Sequence, residues 1–205
     1  MKLYYATNTC SLSPHIVAAE AGIALELEKV DLRTHRTDTG ADYREVNPLG
    51  YVPALRLDDG ELLTEGAAIV QYLADRAPES GLAPRPGTLE RVRLQEWLNF
   101  IASELHKTFS PWLFHPEVGE PAQKFAKARL ADRFAFIEQP LGDSPYLTGH
   151  NFTAADAYCF TIVGWSKFVG IDLAAYPRLA RYMDRIAARP KVREAMQAEG
   201  MLKAA

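Results

Sequence analysis

Cys10 is the residue of this sequence that is best placed for nucleophilic chemistry. It stands between a predicted buried strand, residues 2–6, and a helix whose start is marked by Ser13 as the cap and Pro14 at the first helical position. A thiol near a helix amino terminus meets unpaired backbone amides and the positive end of the helix dipole, and both favour the thiolate. Because serine replaces the second cysteine of a C-x-x-C motif, Cys10 is expected to form mixed disulfides without resolving them internally. The alternative is a small buried hydrophobic residue.

A proline at the start of a predicted strand offers a second feature that could bind a ligand. Residues 51–54 follow a turn, and Pro53 begins the strand without costing a ladder hydrogen bond. A cis Val52–Pro53 bond would turn the backbone amide and carbonyl of Val52 towards an extended peptide, which could pair with them as an added strand. An ordinary trans proline is the alternative, and the residues alone favour it.

Glu65 and Gly66 lie where a predicted strand passes into a helix. Their backbone amides would form an anion site at the helix amino terminus, and the Glu65 carboxylate could pair with an ammonium group. Together they would hold an α-amino acid. The equally plain alternative is an acidic residue that stabilises the first helical turn.

A polar arc runs along the long predicted helix that opens the second half of the chain. Asn99, Ser103, His106 and Lys107 share one side of this helix, mostly opposite its large apolar residues. A solvated helix face is the simpler explanation. Three of the four side chains are uncharged or weakly basic, however, as suits a cleft between two domains.

The elements that must position these residues divide into two types. Residues 1–76 predict strands alternating with helices, including a hairpin with an Asp-Gly turn at residues 58–60. Prolines and glycines at 77–87 indicate a linker. The rest predicts helices at roughly 88–115, 121–138, 154–168, 177–188 and 190–198, with a capping box at residues 153–156. We therefore expect an α/β domain at 1–80 and an all-helical domain at 81–205.

Composition excludes several classes of protein. The 205 residues carry 23 Lys and Arg against 26 Asp and Glu, a net charge of −3, which lacks the basic excess of a non-specific nucleic-acid binder. With 48% hydrophobic residues the chain can bury a core. It shows no secretory signal and no membrane-spanning run, so a cytoplasmic protein is expected. Two cysteines and five scattered histidines predict neither a disulfide scaffold nor a metal site.

Taken together, the motifs resemble those of the bacterial beta-class glutathione transferases over essentially the whole chain. They are LYY at 3–5, CSLSPH at 10–15, NPLGYVPAL at 47–55, LTEG at 63–66, WLNFI at 97–101, SELHK at 103–107 and TAAD at 153–156. The resemblance implies a thioredoxin-like amino-terminal domain, an all-α carboxy-terminal domain, a cis Val52–Pro53 bond and a homodimer. It also implies detoxification chemistry, with glutathione as a co-substrate and no cofactor.

The resemblance also assigns roles by position. Cys10 would bond or hydrogen-bond to the glutathione sulfur, and His106 would approach the same sulfur from the second domain. The remaining glutathione contacts would come from Val52 to the cysteinyl backbone, from Glu65, Gly66, Asn99 and Ser103 to the γ-glutamyl end, and from His35 to the glycyl carboxylate.

Some positions depart from the family pattern or match it less closely. The family commonly has lysine where this chain has His35, which makes that contact weaker or dependent on pH. Gly66 replaces a frequent serine, which deletes a hydroxyl and keeps the backbone donor. Trp165 and Lys167 match positions near the pocket for the second substrate.

Three functions remain open from the sequence. The first is an enzyme that activates the thiol of glutathione for attack on electrophilic, often hydrophobic, substrates. The second is a thiol–disulfide reductase that uses Cys10 covalently. The third is a non-catalytic ligand-binding or partner-binding module, because one fold serves many functions.

Overall fold

A computed structural model describes residues 1–142 and 144–203 of the chain. They form two compact units. The first unit is Met1–Ala83 together with the segment from Arg189 onward, and the second is Pro84–Ala188. The predicted domains 1–80 and 81–205 differ from this division at the segment from Arg189 onward, which lies in the first unit. Residues 204 and 205 lie outside the described residues.

The first unit is built on a five-stranded mixed sheet. Its strands are β1 Lys2–Tyr5, β2 Glu26–Asp31, β3 Arg36–Thr37, β4 Ala54–Arg56 and β5 Leu62–Leu63, in the order β3-β2-β1-β4-β5. β1 pairs parallel with β2 and antiparallel with β4, so that Leu3 lies opposite both Leu27 and Leu55. Leu3 and Leu55 are completely buried, which places the central strands in the core. The sequence pattern does not predict the short strand β3.

Three α-helices belong to this unit: α1 Leu12–Glu20, α2 Gly66–Arg76 and, at the carboxy terminus, α8 Pro190–Ala198. Short 3-10 helices occupy Tyr43–Glu45 and Pro78–Ser80. The predicted start of α1 is wrong, because Ser11 and not Ser13 is the residue before the first helical position. The Ser13 hydroxyl instead donates to the Cys10 carbonyl at 2.8 Å. Pro14 still lies in the first turn, where its missing amide costs no hydrogen bond.

Polar contacts with α1 and the loop before it explain why the carboxy-terminal segment belongs to the first unit. The Arg189 guanidinium donates to the Glu20 carboxylate, with 2.6 Å between Nε and Oε1. His15 Nδ1 lies 3.0 Å from Glu199 Oε1, and the Thr7 hydroxyl donates to the Glu199 carbonyl. Burial raises the pKa of Glu199, and its interaction with His15 acts in the opposite direction. A helical pattern in a sequence does not reveal which core the helix covers.

The second unit is all-helical. Its helices are α3 Leu89–Phe100, continued by a π-helical segment Ile101–His106 and the last turn α4 Lys107–Phe109, then α5 Glu120–Glu138, α6 Ala154–Val163 and α7 Pro177–Ala187. Short 3-10 helices occupy Pro116–Val118, Pro140–Gly142, Gly164–Phe168 and Leu173–Ala175. Within the described residues, none of the helices has the length and apolarity needed to cross a membrane.

Two helix ends differ from the sequence-based expectation. The long helix predicted at 88–115 ends at Phe109, and Ser110 is extended with φ −108° and ψ 126°. Pro111 accounts for this end, because the residue before a proline is disfavoured in the helical region. The helix predicted at 154–168 becomes a 3-10 helix after Val163.

A buried carboxylate fixes the start of α6, as the predicted capping box requires. Asp156 is completely buried and accepts hydrogen bonds from the Leu147 amide, from the amide and hydroxyl of Thr153, and from the Tyr182 hydroxyl, at 2.8–3.0 Å. Burial raises the pKa of this carboxyl group, and the hydrogen bonds act against that shift. The single side chain thereby connects α6, the loop before it and α7.

Removing this carboxylate is expected to destabilise the second unit strongly. Asp156→Ala leaves buried donors of Leu147, Thr153 and Tyr182 without their acceptor, at about 1–3 kcal/mol for each group. A loss of about 3 kcal/mol lowers the melting temperature by roughly 6–12 °C for a chain of this size.

Differential scanning calorimetry against Asp172→Ala provides the comparison. Asp172 also accepts a backbone amide hydrogen bond at the start of a short helix, from Ala174 at 2.9 Å, but it is exposed. Its loss should lower the melting temperature by only about 2–4 °C. Equal shifts for the two variants would contradict the structural role given to Asp156.

Candidate active site

A tight turn holds Cys10 between β1 and α1. The Ser11 hydroxyl accepts a hydrogen bond from the Ala6 amide at 3.1 Å and donates one to the Ala6 carbonyl. The Thr9 hydroxyl donates to the same carbonyl at 2.8 Å. Ser11 is completely buried, whereas Cys10 is partly accessible. The neighbours of Cys10 are therefore fixed while its thiol can meet a ligand.

The Cys10 thiol lies beside the segment around Val52. Its sulfur donates to the Val52 carbonyl at 3.2 Å, and the Val52–Pro53 bond is cis, as the resemblance implied. The Tyr43 hydroxyl and the Asn47 side-chain amide both donate to the Tyr51 carbonyl at 2.8 Å, which anchors the chain just before Val52. The structure thus brings together two of the predicted glutathione-binding residues.

Two amides of the first turn of α1 donate to backbone carbonyls of the turn before it. The Leu12 amide donates to the Thr9 carbonyl and the Ser13 amide to the Cys10 carbonyl, at 3.3 and 3.1 Å. The thiol is itself a donor to Val52, and such a bond stabilises the protonated form. An acidic Cys10 stays a prediction, and its stabilisation would come from the helix dipole or from a ligand.

Glu65 has an unusual backbone conformation at the start of α2. Its φ is +65° and its ψ is 111°, a region that costs a residue with a side chain about 1–3 kcal/mol. The Glu65 carbonyl accepts the amides of Ala68 and Ile69, and its side chain does not cap the helix. The exposed carboxylate is therefore not used for helix capping, and its role towards an ammonium group stays a prediction.

His35 packs against the backbone of Gly50. A Cβ atom at position 50 would lie 2.6 Å from His35 Cε1 and Nδ1, and the φ of Gly50 is +69°, so both the close approach and the backbone favour glycine there. His35 itself has a φ of +54°, and its Nδ1 atom is buried without a hydrogen-bond partner in the described residues.

On the predicted polar arc of the second unit, the first two side chains bond to their own helix. Asn99 and Ser103 are exposed; the Asn99 amide donates to the Gln95 carbonyl at 2.9 Å and the Ser103 hydroxyl to the Asn99 carbonyl at 2.8 Å. These bonds also suit a solvated helix face, so a contact with glutathione stays a prediction for both.

His106, the last residue of the π-helical segment, has a very different environment. Its Nδ1 lies 2.7 Å from the Tyr158 hydroxyl on α6, and its ring packs edge-on against Trp165 with 5.0 Å between centroids. Burial, with a smaller effect from the charge of Lys107, lowers the pKa of His106 to about 4. The imidazole is therefore neutral at pH 7.

Trp165 and Lys167 lie in the same 3-10 turn but have different surroundings. Trp165 is buried and contacts Phe109 and Phe114 as well as His106, with ring centroids 5.9 and 5.4 Å apart for the two phenylalanines. The exposed Lys167 places its ammonium 4.8 Å from the Phe168 ring centroid. The structure joins Trp165 to His106 in one aromatic cluster.

Sequence reasoning missed the partner of His106. Tyr158 lies 52 residues from His106 along the chain, in a helix that is buried throughout. Its neighbour Cys159 is completely buried. In the part of the chain that the structure describes, no group of His, Cys, Asp and Glu side chains could hold a metal ion.

Comparisons with known proteins decide the family. The profile of the glutathione S-transferase amino-terminal domain matches residues 9–76, and that of the carboxy-terminal domain matches residues 100–190. Glutathione S-transferase GstA of Escherichia coli O157:H7 is 44% identical over 98% of this chain and 100% of its own length. The chain belongs to the bacterial glutathione S-transferases.

Solved structures of this family agree with the fold throughout. The bacterial beta-class glutathione S-transferase of Sphingomonas chungbukensis has 46% identity and a TM-score of 0.94, covering 98% of this chain and 100% of that one. A sphingomonad glutathione S-transferase complexed with glutathione has 45% identity, the same TM-score and the same coverage. The beta-class resemblance and the thioredoxin-like plus all-helical fold are confirmed.

The two cysteines of this transferase should differ sharply in reactivity. Burial raises the pKa of the Cys159 thiol well above its ordinary value, whereas Cys10 is partly accessible. A disulfide reagent added to the folded protein should therefore titrate one thiol, and two after denaturation. Cys10→Ala should show no reactive thiol when folded and one after denaturation. Two reactive thiols in the folded protein would contradict the assignment.

Proposed function

We propose that this protein is a glutathione transferase that activates the thiol of glutathione for attack on electrophilic, often hydrophobic, small molecules. One observation carries the proposal: the chain shares its fold and 45% of its sequence with a transferase that was crystallised with glutathione, over 98% of its length. The chain also has Cys10 and His106 at the positions where the family motif requires them.

His106 would act on the glutathione sulfur as a neutral imidazole. Its pKa of about 4 means that the imidazolium form is scarce at pH 7. Stabilising the thiolate by an imidazolium charge is therefore not supported. A neutral ring can still donate one hydrogen bond or accept one.

Cys10 would attack the disulfide of oxidised glutathione to form a mixed disulfide, with one glutathione thiolate leaving, or would donate a hydrogen bond to the sulfur of reduced glutathione. Without a second cysteine in the motif, a mixed disulfide persists until another thiol attacks it. The attacking sulfur of the conjugation reaction belongs to glutathione. Conjugation and disulfide exchange therefore depend on Cys10 to different degrees.

The rest of the tripeptide would bind through groups that the family pattern assigns. Val52 would pair its backbone with the cysteinyl residue, and Glu65 and Gly66 would hold the γ-glutamyl end with help from Asn99 and Ser103. The carbonyl of Val52 accepts a hydrogen bond from Cys10, and its second lone pair would accept one from a peptide amide. The aromatic cluster around Trp165 would contact the second substrate, with Lys167 at its edge.

A homodimer is also part of the proposal. The first unit exposes Leu49 and Tyr51, each 67% accessible, and the second exposes Phe125 and Phe136. Large apolar side chains of this kind are commonly covered by a partner. A cytoplasmic, detoxifying role accords with glutathione as the co-substrate. The non-catalytic alternative is not favoured, because it needs neither Cys10 nor His106.

Replacement of the two sulfur-directed residues should separate the two chemistries. His106→Ala is expected to lower conjugation of glutathione to an aryl halide by about 10²-fold or more, as for loss of one hydrogen-bond donor to a reacting anion. Cys10→Ala should conjugate at a substantial rate but lose reduction of glutathione mixed disulfides. Steady-state rates with each substrate, beside the melting temperature of each variant, check this.

Three results would overturn the assignment. His106→Ala that turns over normally would return the residue to a packing role. Cys10→Ala that still reduces mixed disulfides would remove Cys10 from that reaction. A wild-type protein that neither binds nor conjugates glutathione would refute the proposed function.

His35 should contribute to glutathione affinity. A carboxylate bound there would give the ring a hydrogen-bond partner, so His35→Ala should weaken binding by about tenfold, as for one hydrogen bond to a charged group. His35→Lys should restore it. Isothermal titration with glutathione measures both, and His150→Ala, on an exposed loop, serves as the control. An unchanged affinity in His35→Ala would remove His35 from the site.

A further inference from the structure

The environment of His106 contains a group that the family motif does not assign. The Tyr158 hydroxyl lies 2.7 Å from His106 Nδ1, and the two rings meet edge to face with 5.9 Å between centroids. Trp165 packs against the His106 ring as well, at 70° between ring planes. The imidazole is thus held both by a directed hydrogen bond and by flat aromatic surfaces.

Tyr158 is itself held rigidly. It is 3% exposed and lies in α6, two residues after Asp156, whose buried carboxylate fixes the start of the helix. The same carboxylate accepts a hydrogen bond from the Tyr182 hydroxyl of α7 at 3.0 Å. A hydroxyl on such a helix has a defined position towards His106, which suits a residue that orients another.

The direction of the hydrogen bond determines what His106 can do. A neutral imidazole has one N–H and one lone-pair nitrogen. The sp² lone pair of imidazole is a strong acceptor, whereas the phenol oxygen shares its electrons with the ring and is the better donor. The Tyr158 hydroxyl therefore donates to Nδ1, which leaves the proton of His106 on Nε2.

We infer that Tyr158 is a positioning residue that fixes His106 as the Nε2–H tautomer, so that His106 donates a hydrogen bond to the glutathione sulfur and does not take its proton. This inference rests on the proposed function, since it assigns His106 to that sulfur. When the thiol ionises, its S–H bond breaks and the proton passes to bulk water. The Nε2–H of His106 remains intact and stabilises the thiolate. The titratable groups that bear on the ring are Tyr158 and Lys107.

The tautomer can be observed directly by nitrogen NMR on the free protein. In wild-type protein labelled with ¹⁵N at histidine, Nδ1 of His106 should be unprotonated and Nε2 protonated from about pH 5.5 to 8. The signal missing from His106→Gln assigns the residue among the five histidines. Tyr158→Phe should show a mixture of tautomers. A protonated Nδ1 in the wild type would overturn the inference.

Kinetics separate positioning from a merely structural role. Tyr158→Phe should lower kcat/KM for conjugation by about tenfold and move the rising limb of its pH profile upwards by about one unit, because the thiolate is less stabilised. Tyr176→Phe is the matched control, since that ring packs on Phe134 at 5.5 Å and its hydroxyl has no partner in the described residues. The control should keep the wild-type profile.

A Tyr158→Phe variant that melts earlier but keeps the wild-type pH profile would make the residue structural and overturn the inference. Failure of the proposed function is distinguishable from this result. A wild type with the expected tautomer but no conjugating activity would refute the function, whereas an active wild type with a protonated Nδ1 would refute only the role of Tyr158.

Discussion

The second unit depends on one buried carboxylate. Asp156 has no exposed surface, and its oxygens accept hydrogen bonds from the loop before α6, from the first residue of the capping box and from α7. A buried carboxylate is tolerated only when its lone pairs are satisfied in this way. Because it fixes α6, it also fixes Tyr158, and through Tyr158 the ring of His106. The orientation proposed for His106 thus depends on the hydrogen bonds of Asp156, which lies two residues before Tyr158 in α6.

In the first unit, neighbouring residues also hold Cys10, the other residue predicted to act on the glutathione sulfur. Cys10 lies in a turn that is closed by Ser11 and Thr9, and its thiol donates to the backbone of Val52. The carboxy-terminal segment packs on α1, where a buried Glu199 meets His15. In both units the neighbours of a predicted catalytic residue fix its position.

Much of the fold can be predicted from the sequence, because hydrophobic periodicity and chain-breaking residues mark where elements begin and end. β1, the hairpin of β4 and β5, and the capping box at Thr153 all follow from such local signals. β3 has only two residues and no apolar pattern, so nothing in the sequence indicates it. The placement of α8 on α1 depends on contacts between distant parts of the chain, which a local pattern does not contain.

The candidate site shows the same limit. The position of Cys10 before a helix predicts thiol chemistry, the family resemblance adds Val52 and His106, and the structure places the first two in contact. The neutral state of His106 could not be predicted, because it results from burial under residues of other elements. Its partner Tyr158 was missed because an aromatic residue in an apolar helix is most often part of the core.

The central claim is that the protein stabilises the thiolate of bound glutathione, and ultraviolet difference spectroscopy tests it most directly. Glutathione is added to Cys10→Ala, in which the remaining cysteine is buried, and thiolate absorbance is followed against pH. The account predicts a bound thiol pKa at least one unit below the ordinary value of about 8.5. A bound thiol that titrates at its ordinary value would contradict the account.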